Sequence, residues 1–288
     1  MTRVAVNPPP AMIGAANVVF GGTARNHYVP PMPGAASIKA VVRGRAAWES
    51  EGRRFVVTEG TCLLLDEGQE YSLTIEEPEP VTTFCLFFRN GFLGDALRSA
   101  AVTDAALLDE PFESGSERPV PGLRHLSDAM HALLSGMQQT PTEDDFIAAA
   151  SLIASDLHRE QRSERTLDAA KSGTRHELRR RVQRGVDFML SHLADPITVE
   201  DAARAACLSL FHFHRAFTAL HGTTPHRFLR EQRLALAARL LRLTEDDVTD
   251  IAARSGFESL GSFTTRFTKS FGLPPGRYRQ VDTAAPRT

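Results

Sequence analysis

The chain has 288 residues, of which 42% are hydrophobic and 24% charged, a length and balance typical of about two globular domains. No stretch approaches the roughly 18–20 uncharged apolar residues of a membrane helix, and the N-terminus lacks the apolar core of a secretory signal. The three cysteines, Cys62, Cys85 and Cys207, are too widely spaced for a disulfide framework or a CxxC metal site. We therefore expect a cytoplasmic protein without membrane association.

The net charge of −2 conceals a division along the chain. Residues 1–174 carry 15 Lys and Arg against 23 Asp and Glu, a net charge of −8. Residues 175–281 carry 17 against 11, a net charge of +6, and the tail has one of each sign. A basic half joined to an acidic half is expected when only one domain meets phosphate, although two ordinary domains of unequal charge would look the same.

The first part of the chain is predicted to form strands. Residues 1–35 are rich in Pro, Gly and Ala, and only Val18–Phe20 reads as a strand there. Short β-type runs then alternate with turn signals and predict strands at 38–42, 45–49, 55–58, 62–65, 71–75 and 81–88. The carboxylates Glu76, Glu77 and Glu79, beside two prolines, indicate a solvated turn between the last two. Such spacing favours a small sandwich or barrel.

Helical periodicity follows a short predicted helix near 94–101 and a polar loop at 113–121. Two amphipathic stripes recur at steps of three and four residues. They comprise Leu123, Leu126, Met130, Leu133, Leu134 and Met137, then Phe146, Ile147, Ala150, Ile153, Ala154 and Leu157. These helices fit either plain core or a dimerisation pair. The polar segment 158–175 reads as an interdomain linker.

The rest of the chain repeats itself at about fifty residues. The copies span 198–228 and 247–278, offset by 49 residues before an internal turn and by 50 after it. Each predicts a helix, a tight turn and a second helix. The predicted N-caps are Thr198 and Asp247, and Gly222 and Gly272 end the second helices. At the turn, Gly256 suits a left-handed backbone better than Cys207 does, and Ser209 or Glu258 opens the helix that follows.

A helix-turn-helix that binds DNA places its second helix in the major groove. Phe213, Phe217, Phe263 and Phe267 are four apart within each copy and should face the core. The remaining residues of these helices are then the candidate DNA contacts, and none is acidic. They are Ser209, Leu210, Phe211, His212, His214, Arg215 and Thr218 in copy one, and Leu260, Gly261, Ser262, Thr264, Thr265, Arg266 and Lys269 in copy two.

The repeat resembles the C-terminal domain of AraC/XylS-type transcriptional regulators. Residues that carry the resemblance are Gly256-Phe257, Ser262-Phe263, Arg266-Phe267, Phe271-Gly272, Pro274-Pro275 and Tyr278-Arg279, with Leu208-Ser209, Gly222, Thr224-Pro225 and Arg230 in copy one. The resemblance implies seven helices, with base contacts at Phe211, His214 and Arg215 and at Gly261, Ser262 and Thr265. Many members carry Arg where this chain has Thr265, so copy two is predicted to read DNA more weakly.

The N-terminal half is similar to the cupin-like sensor domains of such regulators, in its strand spacing and in the stretch from Glu59-Gly60 to Tyr71. Many cupins hold a metal with an HxH pair and a further histidine. Because this half has only His27 before residue 112, we predict no metal and no cofactor. An effector pocket inside the barrel would be lined by His27, Arg43, Trp48 and Tyr71, each of which is also an ordinary core or surface residue.

The sequence therefore predicts an α+β protein: an N-terminal β-barrel or cupin-like domain (1–112), a helical connector with linker (113–175), a C-terminal all-α domain with two helix-turn-helix units (176–281) and a tail (282–288). The predicted function is sequence-specific, effector-responsive transcriptional regulation, without enzymatic activity. The expected partners are double-stranded DNA, a small-molecule effector, RNA polymerase and a second copy of the chain. A catalytic cupin with accessory helices and a DNA binder without sequence specificity remain alternatives; bound stoichiometric metal would favour the first.

Overall fold

The computed structural model describes residues 4–101, 121–164 and 172–283. The described strands are β1 (Ala5–Val6), β2 (Val18–Pro33), β3 (Ser37–Arg43), β4 (Arg45–Ser50), β5 (Arg53–Thr58), β6 (Thr61–Leu65), β7 (Glu70–Phe87) and β8 (Gly122–His125). The described helices are α1 (Phe92–Ala101), α2 (Asp128–Met137), α3 (Glu143–Glu164), α4 (Ser172–Ser191), α5 (Val199–Ala205), α6 (Leu210–His221), α7 (Pro225–Leu243), α8 (Val248–Arg254), α9 (Leu260–Phe271) and α10 (Pro275–Thr283). Except for Pro121, the polar loop predicted at 113–121 lies outside the described residues, as does 284–288 of the predicted tail.

All the described strands belong to one mixed sheet, in which β7 pairs with β2, β3 and β4. The order along the main path is β1-β2-β7-β3-β6-β8, and β4 also pairs with β5. Only β1 and β2 are parallel among these pairs. The expected β-rich N-terminal half and all-α C-terminal half are confirmed.

Two strands are much longer than the sequence predicts. β2 continues from Val18 to Pro33, where only three residues were expected, and β7 runs without a break through the predicted turn of glutamates and prolines. Both corrections have one cause, because β2 and β7 pair along their whole lengths. The register passes from Ala24 opposite Val81 to Asn26 opposite Glu76, so the extra residues form a bulge. Long-range pairing overrides the local turn signal.

The sheet has two buried faces. Its inner face surrounds a cavity and carries Trp48, Phe55, Leu73 and Phe87, among others. Its outer face, including Ile38 and Ala40 of β3, packs against α1, α2 and α3. Because both faces of β3 are buried, the strand lacks the alternation of a half-exposed strand.

The two amphipathic stripes are core, with two corrections. Leu123 belongs to strand β8 and Leu126 precedes α2, so the first helix begins later than predicted. Of the remaining apolar positions, Ala154 is buried, Ile147 is 54% exposed, and the others pack under the outer face of the sheet. Most of the two stripes is therefore covered within the chain.

The helical half packs directly against the β-rich half. Residues 158–164 of the predicted linker complete α3 and 172–175 begin α4, so the linker is shorter than expected. Helix α4 covers the edge strand β8: Asp187 Oδ1 accepts from Leu123 N (2.8 Å), and Gln183 Nε2 donates to Leu123 O (3.1 Å). These bonds satisfy backbone groups that a free edge would expose. Burial raises the pKa of Asp187 to about 6 despite its ion pair with Arg53 (2.9 Å).

Candidate DNA interface and sensor cavity

The two helix-turn-helix units differ in the cap of their first helix and agree in the end of their second. Helix α5 begins with a capping box between Thr198 and Asp201, as predicted, whereas Asp247 precedes α8 without a side-chain cap. Helices α6 and α9 both end at a glycine with positive φ, 65° at Gly222 and 75° at Gly272. Each unit is therefore bounded by local hydrogen bonds and glycines that its own sequence encodes.

The tight turn is also the same in both copies. Leu208 N donates to Ala203 O and Phe257 N donates to Ala252 O, each at 3.0 Å. Cys207 and Gly256 both adopt the left-handed conformation, with φ of 53° and 75°. A Cβ on Gly256 would lie 2.1 Å from Leu193 O, so this position excludes every other residue. In copy one, an exposed cysteine adopts this left-handed conformation.

Phenylalanine side chains hold the second helix of each unit in place. Phe213 and Phe217 of α6 and Phe263 and Phe267 of α9 are fully buried, as predicted. A Cβ on Gly185 of α4 would lie 2.4 Å from Phe213, which shows how closely the helices approach. This packing determines which faces of α6 and α9 remain outside.

Most predicted DNA contacts lie on these outer faces. The exposed members on α6 are Phe211, His212, His214 and Arg215, and those on α9 are Leu260, Gly261, Ser262, Thr265, Arg266 and Lys269. Phe211 is 86% exposed, a large aromatic side chain in water. Thr218 and Thr264 are half-buried; the Thr218 hydroxyl donates to His214 O (2.8 Å). The structure thus groups the exposed candidates on two helix faces.

Two residues of the predicted set also have structural roles. The Ser209 hydroxyl is the N-cap of α6 and accepts from His212 N (3.3 Å). Leu210 is half-buried and packs against the helical core. In copy two the N-cap is Ser259, not Glu258, and its hydroxyl accepts from Ser262 N. The extra residue of copy two therefore lies between Gly256 and Ser259.

A groove between α7 and α9 places two further arginines beside the DNA contacts predicted from the sequence. Arg227 and Arg230 of α7 line it together with Arg266 and Lys269 of α9. Arg227 is paired with Glu231 (2.7 Å), and the Arg266 Nε donates to Ser262 Oγ (3.2 Å). The signal was available, because Arg227 and Arg230 are three apart and so share a helix face.

The β-rich half contains a separate cavity of about 440 Å³. Of the four predicted effector residues, His27, Trp48 and Tyr71 line it, whereas Arg43 is exposed at the end of β3 and does not. Its walls are mostly apolar and include Phe20, Met32, Leu73, Ile75 and Phe87. This volume falls near the small end of the range of about 300–1,000 Å³ for ligand pockets.

Lys39 is the lining residue that the sequence analysis missed. Its side chain is only 1% exposed and its Nζ has no hydrogen-bond partner. The Nζ lies 3.5 Å from the ring centre of Phe87 and 3.8 Å from that of Tyr71. Burial lowers the pKa of Lys39 to about 7, because an apolar cavity disfavours its charged form. A lysine within an otherwise apolar strand was the available signal.

A polar contact joins the β5–β6 turn to the helical half. Arg239 of α7 is 3% exposed; its guanidinium donates to Glu59 O and to Leu126 O, the latter at 2.8 Å. The Glu59 carboxylate accepts from Gly44 N (2.8 Å) and lies 3.7 Å from Arg254 of α8. Glu59 therefore contacts the turn after β3, the strand that carries Lys39, and both α7 and α8.

The remaining histidines do not assemble a metal site. His221 packs its ring on Phe217 and Phe228, and burial lowers its pKa to about 4. Within the described ranges, no group of three or more His, Cys, Asp or Glu side chains is placed to hold a metal ion. Nor does any helix there have the length and apolar character of a membrane span.

The chain has a β-rich domain with a cavity, followed by two helix-turn-helix units. These features define a class of protein in which a ligand-binding domain is joined to a DNA-binding domain. Comparison with known families agrees. Residues 18–155 match the AraC-like ligand binding domain, and residues 202–281 match a helix-turn-helix domain. In both parts the chain is thus similar to the AraC-type transcriptional regulators.

Curated relatives match this chain over about a third of its length. The uncharacterized HTH-type transcriptional regulator YbfP of Bacillus subtilis is 40% identical over 98 residues, 34% of this chain and 33% of the relative. The HTH-type transcriptional activator RhaS of Enterobacter sp. is 39% identical over 93 residues, 32% of this chain and 34% of the relative. The chain thus matches about a third of the length of these relatives. The structure of ToxT from Vibrio cholerae is 12% identical, with a TM-score of 0.37 over 94% of this chain and 100% of that one.

Proposed function

We propose that this protein regulates transcription by binding specific double-stranded DNA through α6 and α9, and that a small molecule in the cavity of the β-rich half controls that binding. The observation that carries the proposal is the pair of equivalent helices whose exposed candidate contacts include no acidic side chain. A net charge of +6 over residues 175–281 favours association with phosphate. The matches to an AraC-like ligand binding domain and a helix-turn-helix domain support the same function.

Helices α6 and α9 occupy equivalent positions in the two units but differ in the base contacts that they offer. Arg215 on α6 is exposed and available for a bidentate contact with guanine, whereas α9 offers Gly261, Ser262 and Thr265 at the corresponding surface. The groove that contains Arg230 and Lys269 then supplies phosphate contacts beside α9. Copy one is therefore proposed to carry most of the base specificity.

Selection of bound fragments from a random DNA pool, at a stated salt concentration, tests the proposal. We expect an enriched site with two blocks about 10 base pairs apart, since two readers occupy successive major grooves. Arg215→Ala should relax the preference at one base position by about 1–3 kcal/mol, and Thr265→Ala should do much less. Lys269→Ala should weaken binding to all sequences alike and reduce the salt slope by about 1.

Arg45→Ala is the matched control, because Arg45 is an exposed arginine of the β-rich half paired only with Glu77 among the ion pairs described. It should leave the selected site and the affinity unchanged. Equal losses from Arg215→Ala and Thr265→Ala would refute the asymmetry. Binding that depends on salt but enriches no sequence, with and without ligand, would favour a non-specific DNA binder.

The route from cavity to DNA is proposed to pass through Glu59. This residue touches the turn after β3 on one side and Arg239 and Arg254 on the other. A ligand that moves β3 would therefore alter the contact with the helix that joins the two DNA-binding units. A homodimer and a contact with RNA polymerase are further proposals; sedimentation of the purified protein tests the first, and in vitro transcription the second.

A further inference from the structure

The cavity of the β-rich half has an unbalanced charge. Lys39 points into it from β3, and no Asp or Glu occurs among the described residues that line it. A buried ammonium without a hydrogen-bond partner is costly, so a partner that arrives from outside would stabilise it. The two aromatic rings beside Nζ stabilise the cation only in part.

We propose that the effector is a monocarboxylate with an apolar body, whose carboxylate pairs with Lys39 inside the cavity. This inference rests on the proposed effector-responsive function and specifies its ligand. The remaining walls, among them Phe20, Trp48 and Leu73, are suited to an aromatic or aliphatic body.

The single ammonium group of Lys39 favours a carboxylate over a phosphate monoester as its partner. A single ammonium neutralises one negative charge, and the described lining contains no arginine to pair with a second. A phosphate monoester would carry close to two charges at neutral pH and would leave one of them buried and unpaired. A carboxylate needs only the donors of Lys39 and those of hydroxyl groups nearby, such as Tyr71 or Thr83.

Binding should be linked to protonation of Lys39. The titratable groups that face it are Cys85 and Tyr71 of β7, whose pKa values burial raises, while β2 contributes His27 at the exposed mouth and β6 places Leu63 opposite. Cys85 and Tyr71 therefore stay neutral between pH 7 and 9. A carboxylate requires the charged form of Lys39, so its binding takes up a proton in this range.

The test uses the full chain and the emission of Trp48, which is the only tryptophan and lines the cavity. The probes are one-ring and two-ring aromatic monocarboxylates and C6–C10 alkanoates, each compared with its primary amide. We expect at least one acid to bind with an affinity about 10- to 100-fold above that of its amide. Its affinity should fall more than about tenfold from pH 7 to pH 9, and that of the amide should not change.

Lys39→Met should abolish the preference for the acid while it keeps or improves binding of the amide, which shows that the variant is folded. Lys39→Gln serves if the methionine variant is unstable. Equal affinity for acid and amide in the wild type, or no binding by any probe to protein with native Trp48 emission, would overturn the proposal. The selection of bound DNA is measured separately from ligand binding. If the protein selects a DNA site but fails the ligand test, only the carboxylate proposal is rejected. If it selects no DNA site, the proposed function is rejected.

Discussion

Replacing Lys39 with methionine should make the ligand-free protein more stable. The wild-type folded state buries a lysine whose pKa is lowered to about 7, whereas the unfolded chain keeps its ordinary value of 10.5. A group with a depressed pKa of this kind releases its proton on folding when the pH lies between the two values. Stability therefore rises with pH across this window, and the penalty is largest below pH 7. Methionine has a similar length, no charge and no such penalty.

The magnitude follows from the size of the shift. A change of 3.5 pH units at about 1.4 kcal/mol each sets an upper limit of about 5 kcal/mol for the penalty in the wild type at neutral pH. Between pH 7 and 9 that penalty should shrink by about 2 kcal/mol. The stability advantage of Lys39→Met should decline by the same amount, while other titrating groups cancel in the comparison.

Urea unfolding followed by Trp48 emission measures this quantity, because Trp48 reports on the β-rich half. Lys269→Met, on the exposed face of α9, is the matched control and should leave the pH dependence unchanged. If Lys39→Met and the wild type show parallel stability from pH 7 to 9, Lys39 is charged and well solvated in the folded state. That result would refute the argument from burial.

Two further predictions concern the helical half. Cys207→Gly should stabilise it by about 0.5–1 kcal/mol, since glycine relieves the left-handed strain at a smaller entropic cost. Gly256→Ala should destabilise it by more than about 2 kcal/mol, because the new Cβ would collide with Leu193 O. Urea unfolding followed by circular dichroism measures both changes, and equal effects of the two substitutions would contradict the reasoning. Arg239→Met should cost about 2 kcal/mol because two buried carbonyl groups lose their donor, while Arg227→Met, exposed on the same helix, should change stability by less than about 0.5 kcal/mol in the same assay.

The local signals of the C-terminal half were sufficient to predict its helices. The capping box of Thr198, the proline after Thr224 and the left-handed glycines at positions 222 and 272 all act within a few residues of the backbone that they organise. Phenylalanines four apart indicated the buried face, and the exposed face followed by exclusion. The repeat doubled each of these signals.

The N-terminal half shows where such signals fail. Pairing of β2 with β7 extended both strands through Pro and Glu residues that locally favour a turn, since hydrogen bonds to a distant strand outweigh a local preference. Arg43 and Lys39 lie on the same strand, four residues apart, yet only Lys39 lines the cavity, because the end of β3 is exposed.

What the sequence by itself determined was the double helix-turn-helix, its turns and the faces of α6 and α9, because those features depend on contacts between near neighbours in the chain. What only the tertiary structure decided was the cavity and the isolation of Lys39 within it. In a strand buried on both sides, periodicity does not distinguish the inner face from the outer one. Among the described residues, the lack of a carboxylate in the cavity around Lys39 depends on four strands that meet only in the folded sheet.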